Sequence, residues 1–105
     1  MIKIRFEIEQ TDRIKSMTMT GHANAGPYGA DLVCAGASAI ALSSLNAIDL
    51  LYPDACTMTA QDNKIFLQVD HDSHDLQITL KTMATQFSVL ASEYPDSIRI
   101  QYKND

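Results

Sequence analysis

Cys34 stands twelve residues after His22, and the segment between residues 21 and 38, GHANAGPYGADLVCAGAS, is the chemistry-bearing part of the chain. With Asp31 read as a helix cap, Cys34 falls in the first turn of a helix. There the unpaired backbone amides and the positive end of the helix dipole favour a thiolate. An imidazole brought alongside completes a nucleophile and general base pair. The intervening loop carries Gly26, Pro27, Tyr28 and Gly29, a composition flexible enough to bring strand-borne His22 over the helix tip and close on a substrate. Gly21, Gly26, Tyr28 and Gly29 are therefore candidate substrate-loop residues. Asp31 has two possible roles, capping the helix or orienting the ring, and Asn24 can orient it instead. Ser38, one helical turn beyond Cys34, should share its face and offer a hydroxyl to substrate or oxyanion. The amides of Cys34 and its first-turn neighbours are the expected oxyanion donors.

Each of these groups has a plainer reading. Cys34 can be a small packed hydrophobe, His22 a solvated strand end, and Ser38 a donor to its own helix carbonyl. Cys56 falls in a predicted strand and reads as structural. Asp70, His71, Asp72, His74 and Asp75 crowd one short connection, where Asp72 or Ser73 serves as a helix cap rather than as a metal ligand. No arginine follows Cys34 as a thiol phosphatase requires, and no phosphate loop, dinucleotide fingerprint or zinc-type cysteine spacing occurs. No metal and no cofactor is expected. Two functions compete on the residues alone: a cysteine hydrolase, and a non-catalytic dimeric binding module in which Cys34 is merely packed.

Hydrophobic periodicity supplies the elements that position these groups. Ile2, Ile4, Phe6 and Ile8 alternate with polar residues, and after a polar turn at residues 10–12 a second strand returns over residues 14–20. A long apolar helix over Leu32–Leu51 ends before Pro53, with alanines in its first turns, and reads as buried on most sides. Residues 57–60 and 65–69 form a second hairpin around Asp62 and Asn63. Leu76, Leu80, Met83, Ala84, Phe87, Leu90, Ala91 and Tyr94 mark one face of a helix over residues 74–94. Ile98, Ile100 and Tyr102 close the chain as a strand. The expected fold is α+β: a mainly antiparallel five-stranded sheet with two helices on one face, in the order strand-strand-helix-strand-strand-helix-strand.

At 105 residues the chain reads as a single domain, 1–105. No apolar run is expected to reach the ~20 residues of a membrane span. The alternating N-terminus has no signal-peptide pattern, so a cytoplasmic location without membrane contact is expected. In a reducing compartment the two cysteines are expected as thiols, although a Cys34–Cys56 bridge stays open. The formal charge is −5, with four basic and three acidic residues up to Ser16 and four against ten thereafter. That balance argues against direct nucleic-acid binding and favours a basic protein partner.

With these residues in place, the whole chain resembles the ribosomal-processing cysteine protease (Prp) family. The resemblance rests on Gly21-His22-Ala23, then Gly29-Ala30-Asp31-Leu32-Val33-Cys34-Ala35 after a glycine-containing loop, then Ser38. Gly36 departs from the alanine more usual there. The resemblance implies an endopeptidase that removes a short N-terminal extension from large-subunit ribosomal protein twenty-seven. It implies Cys34 as nucleophile, His22 as base, and Asp31 and Ser38 in support. It further implies a homodimer with a mobile loop between histidine and cysteine.

Overall fold

Strict alternation over IKIRFEI makes Ile2–Ile8 a strand with one dry face, because successive side chains of an extended chain point to opposite sides. The computed structural model describes residues 1–21 and 29–104, apart from the side chains of 29–31. Within them the chain runs β1 (Ile2–Ile8), β2 (Ile14–Thr20), α1 (Gly29–Leu51), β3 (Cys56–Gln61), β4 (Lys64–Val69), α2 (His74–Glu93) and β5 (Ile98–Asn104). The sheet order is β3-β4-β2-β1-β5. β1 pairs antiparallel with β2, β2 with β4, and β4 with β3, whereas β1 and β5 run parallel. The sheet is therefore mixed: three of its four pairings are antiparallel, in line with the mainly antiparallel expectation, and the parallel β1–β5 pairing is what that expectation lacked. Both edges of β1 are occupied, and a parallel neighbour can arrive only after a crossover long enough to include a helix.

Register places Ile4 beside Met19 and Ile100, and Met17 beside Phe6 and Leu67. These side chains form the inner face, and α2 covers it over β2 and β5 while α1 covers β3. Leu76, Leu80, Met83 and Phe87 of α2 are buried there, and the Phe87 ring lies 6.4 Å from that of Phe6. Ser73 caps α2: its Oγ accepts from the Leu76 amide at 3.1 Å. Gln77 is buried and pins α2 to β2, its Oε1 accepting from the Ile14 amide at 2.7 Å and its Nε2 donating to the Ile14 carbonyl at 2.8 Å. A buried amide with both ends satisfied fixes register without a desolvation penalty.

α1 differs from expectation at both its start and its surface. It opens at Gly29, so Asp31 is its third residue rather than its cap, and an acidic residue is favourable there beside the positive helix end. Its buried positions, Val33, Ala37, Ala41, Leu45 and Ile48, form one narrow stripe, while Leu32, Leu42, Leu50 and Leu51 are exposed. The helix is thus not buried on most sides. Leu32–Leu51 also reaches the length and mean hydropathy of a membrane-crossing helix, contrary to the expectation that no run would. Here its buried stripe packs on α2 and the sheet.

Candidate active site

Cys34 and Ser38 are four residues apart on α1 and therefore project from the same side of the helix. Both are half-buried, and both line a cleft of about 260 Å³ between α1 and one end of the inner sheet face. Leu42, one turn further on, extends the helix wall. Ile2, Met19 and Ile65 supply the sheet side, and the β3–β4 turn with Asp62, Asn63 and Lys64 supplies the opposite wall. Asp62 and Asn63 have φ of 53° and 62°, the left-handed pair of a two-residue hairpin turn, which short polar side chains tolerate.

Gly21 lines the same cleft at the end of β2. Its φ is +88°, and a Cβ placed there would lie 2.3 Å from the Met1 carbonyl oxygen. Only glycine fits a backbone turned that way against a neighbouring main chain. This turn directs the chain into His22. His22, Gly26 and Tyr28 lie outside the described residues, as does the side chain of Asp31; Gly29 is the first residue of α1.

The earlier helix start moves Cys34 from the first turn to the second, since it is now the sixth helical residue. In an α-helix the amide of residue 34 pairs with the carbonyl of residue 30. It is not one of the four unpaired amides at the helix end, and the expectation that it donates to an oxyanion is corrected accordingly. Ser38 gains importance from the same correction. Ser43, one turn and a residue later, donates its hydroxyl to the Ala39 carbonyl, as Thr82 and Thr85 of α2 do to Ile78 and Lys81, each at 2.8 Å. Among the described residues no such bond ties Ser38 to its helix, so its hydroxyl remains available to the cleft.

The two cysteines are not bridged. Cys56 lies on β3 outside the cleft, where burial first, and then the carboxylates of Asp70 and Asp72, push its thiol up to about 11. Both effects penalise the anion, which gives Cys56 the character of a packing residue. Among the described residues no His, Cys, Asp and Glu side chains gather into a metal-binding group. Asp70 instead accepts from Thr57 Oγ1 at 2.5 Å, and Asp72 pairs with Arg13 Nε at 2.5 Å. For Asp72, burial raises the carboxyl but is outweighed by hydrogen bonds from Arg13, Gln77 and the Ser73 amide, together with the Arg13 charge. The group is held below the usual carboxylate range.

Of the residues singled out from sequence, the structure brings Cys34, Ser38 and Gly21 to one cleft. Sequence reasoning missed Ile2, Met19, Leu42 and the Asp62–Lys64 turn as walls of it. The turn itself was legible, but its position depends on β4 pairing with β2, which no local signal reveals.

Residues 1–99 match the family described as cysteine protease Prp. The ribosomal processing cysteine protease Prp of Staphylococcus aureus is 34% identical over 98% of this chain and 100% of its own length, and that of Bacillus subtilis is 28% identical over 95% and 96%. A crystal structure of the essential ribosomal processing protease Prp from S. aureus, in complex with a covalently linked product peptide, superposes with a TM-score of 0.88 at 33% identity, covering 98% of this chain and 100% of the other. The same S. aureus protease has been crystallised with a substrate peptide, at an equal TM-score of 0.88 and 31% identity over 98% of this chain and 100% of that one. The match spans nearly every residue, and it falls on a chain whose Cys34 thiol opens into a cleft large enough for peptide side chains. The non-catalytic module is thereby set aside: this chain belongs to the cysteine protease Prp family and is a cysteine protease, a peptide-bond hydrolase.

Proposed function

We propose that the chain is the endopeptidase that removes the N-terminal extension of large-subunit ribosomal protein twenty-seven, acting in the cytoplasm as a homodimer and as a single domain over residues 1–105. The observation that carries the reading is the shared cleft of Cys34, Ser38 and Gly21, the last being the chain neighbour of His22. In this mechanism the Cys34 thiolate attacks the scissile carbonyl, forming a tetrahedral oxyanion that the Ser38 hydroxyl stabilises. Collapse breaks the C–N bond, and the imidazolium of His22 protonates the departing amine. Water, deprotonated by His22, then attacks the thioester and releases the acid and the thiol. Asp31 orients His22, and Gly26 and Tyr28, together with Gly29 at the start of α1, contribute to substrate binding.

The acidic overall charge suits a basic ribosomal substrate, and the exposed Leu50 and Leu51 at the end of α1 supply an apolar surface that a second copy can bury. Intact-mass analysis of the precursor after incubation with wild type and with Cys34→Ala tests the proposal. One cleavage site, seen with wild type only, is expected, and His22→Ala should match Cys34→Ala. Cleavage by either variant at the wild-type rate refutes the dyad. An uncut precursor with folded, reduced wild type refutes the substrate.

A further inference from the structure

We infer that the outer face of the sheet, opposite the helices and the cleft, binds single-stranded nucleic acid through its phosphates and one stacked base. The register of the strands places the charges. On that face β1 presents Lys3, Arg5 and Glu7, β4 presents Lys64, Phe66 and Gln68, and β5 presents Arg99, Gln101 and Lys103. Lys15, displaced by the irregularity where β1 and β2 shift register, joins Arg5, Glu7, Thr18, Lys64 and Phe66 around a shallow depression. Six of the chain's 8 basic residues thus share one surface with three carboxylates, Glu7, Asp70 beside Thr57 and Gln68, and Asp62 at the turn edge, which gives it a formal charge of +3 and leaves −8 for the rest.

Two features separate this surface from an ordinary solvated one. Lys3 lies directly beside Arg99 in the parallel ladder, and like charges in register across strands destabilise a sheet. Among the described residues the ion pair found joins Arg13 to Asp72, and none neutralises Lys3, Arg5, Lys64, Arg99 or Lys103. The arrangement is unfavourable until a polyanion arrives. The second feature is Phe66, half-buried in the middle of this otherwise polar face, between Thr18 and Thr59. Strands ~4.8 Å apart put it two strands from Arg5, so one chain can lay its phosphates on the cations and a base on the ring. An aromatic platform beside a cationic track is how sheets hold unpaired nucleotides without reading their sequence. An acidic peptide or an anionic membrane would use the charge but not the ring.

The test is fluorescence anisotropy with a labelled twelve-nucleotide oligo-uridine RNA across a salt series, with poly-glutamate of equal length and phosphatidylserine vesicles as competitors. Binding is expected with a log–log salt slope of about −3, from ~0.7 per contacted phosphate. The variant carrying Lys3→Glu, Arg5→Glu and Arg99→Glu should bind at least about tenfold more weakly with a shallower slope, while cleaving a free precursor peptide as wild type does. Phe66→Leu should lose affinity several-fold with the slope kept, which a purely electrostatic surface would not show. No binding at low salt, equal affinity in the triple variant, or displacement by poly-glutamate or vesicles as readily as by unlabelled RNA overturns the inference.

Discussion

Two glycine-to-alanine substitutions should move stability in opposite directions, and the contrast tests the geometry that aims the chain at His22. At Gly21 the backbone has φ +88° and an added Cβ would sit 2.3 Å from the Met1 carbonyl oxygen. The left-handed conformation alone costs an L-residue ~1–2 kcal/mol. The contact is about an ångström shorter than a tolerable one and is made against main chain, so a strand end must shift, at ~1–3 kcal/mol of further strain. Gly21→Ala should therefore destabilise by about 2–5 kcal/mol, a large share of the ~5–15 kcal/mol that holds a domain together. At Gly36, inside α1, the Cβ would meet only Leu90 methyl carbons at 3.5 and 3.6 Å, which is ordinary contact. Alanine there reduces the freedom of the unfolded chain and favours the helix, so Gly36→Ala should stabilise by ~0.5–1 kcal/mol. Thermal unfolding followed by circular dichroism reads both. At ~4–8 °C per kcal/mol for a chain of this size, the first midpoint should fall by roughly 10 °C or more and the second should rise by a few degrees. Precursor cleavage by the folded Gly21→Ala protein should drop as well, because the turn into His22 is lost. A Gly21→Ala protein as stable as wild type would refute the close approach to Met1.

Other substitutions separate the chemistry from the scaffold. Iodoacetamide at pH 8 should modify Cys34 while Cys56, its thiol pushed up to about 11, holds only about one part in a thousand as thiolate; equal rates by peptide mass mapping would contradict the assignment. Ser38→Ala should lower kcat/KM about 10²-fold with an unchanged unfolding midpoint, whereas an unchanged kcat/KM would remove Ser38 from the oxyanion site. Asp72→Asn keeps an oxygen for Gln77 and Ser73 but loses the charge facing Arg13. Because the folded carboxyl is held below its unfolded value, its contribution is present above ~3.9 and disappears as pH falls through the folded value. Urea midpoints for this variant should therefore lie below wild type at pH 7 and converge with it in acid. Leu50→Glu with Leu51→Glu, at positions 81% and 67% exposed, should yield monomers by light scattering with the fold intact, and a persisting dimer would place the interface elsewhere.

What local sequence could disclose was set by the range of the interaction concerned. Ser38 could be placed beside Cys34 because helical spacing is a local property, and the β3–β4 turn could be placed at Asp62 and Asn63 because left-handed residues have a local preference. The parallel partner of β1 was hidden: Ile98, Ile100 and Tyr102 announce a strand, but the neighbour of that strand is chosen by helices packing far along the chain. The start of α1 was misplaced because aspartate is favourable both at a cap and inside the first turn, and the error carried directly into chemistry by putting Cys34 one turn too early. Hydropathy likewise could not distinguish an α1 face turned to the core from one turned outward, so Leu50 and Leu51 read as buried. The net charge of −5 is likewise a coarse quantity. It averages two unlike surfaces, although the alternation of Ile2 and Ile4 with Lys3 and Arg5 had already assigned apolar and basic side chains of β1 to opposite faces. Register then set Arg99 beside Lys3 and brought Lys64 onto the same row through Thr20. A charge total describes the behaviour of the whole molecule in solution; the partner of one face follows from which residues the pleat and the strand order bring together.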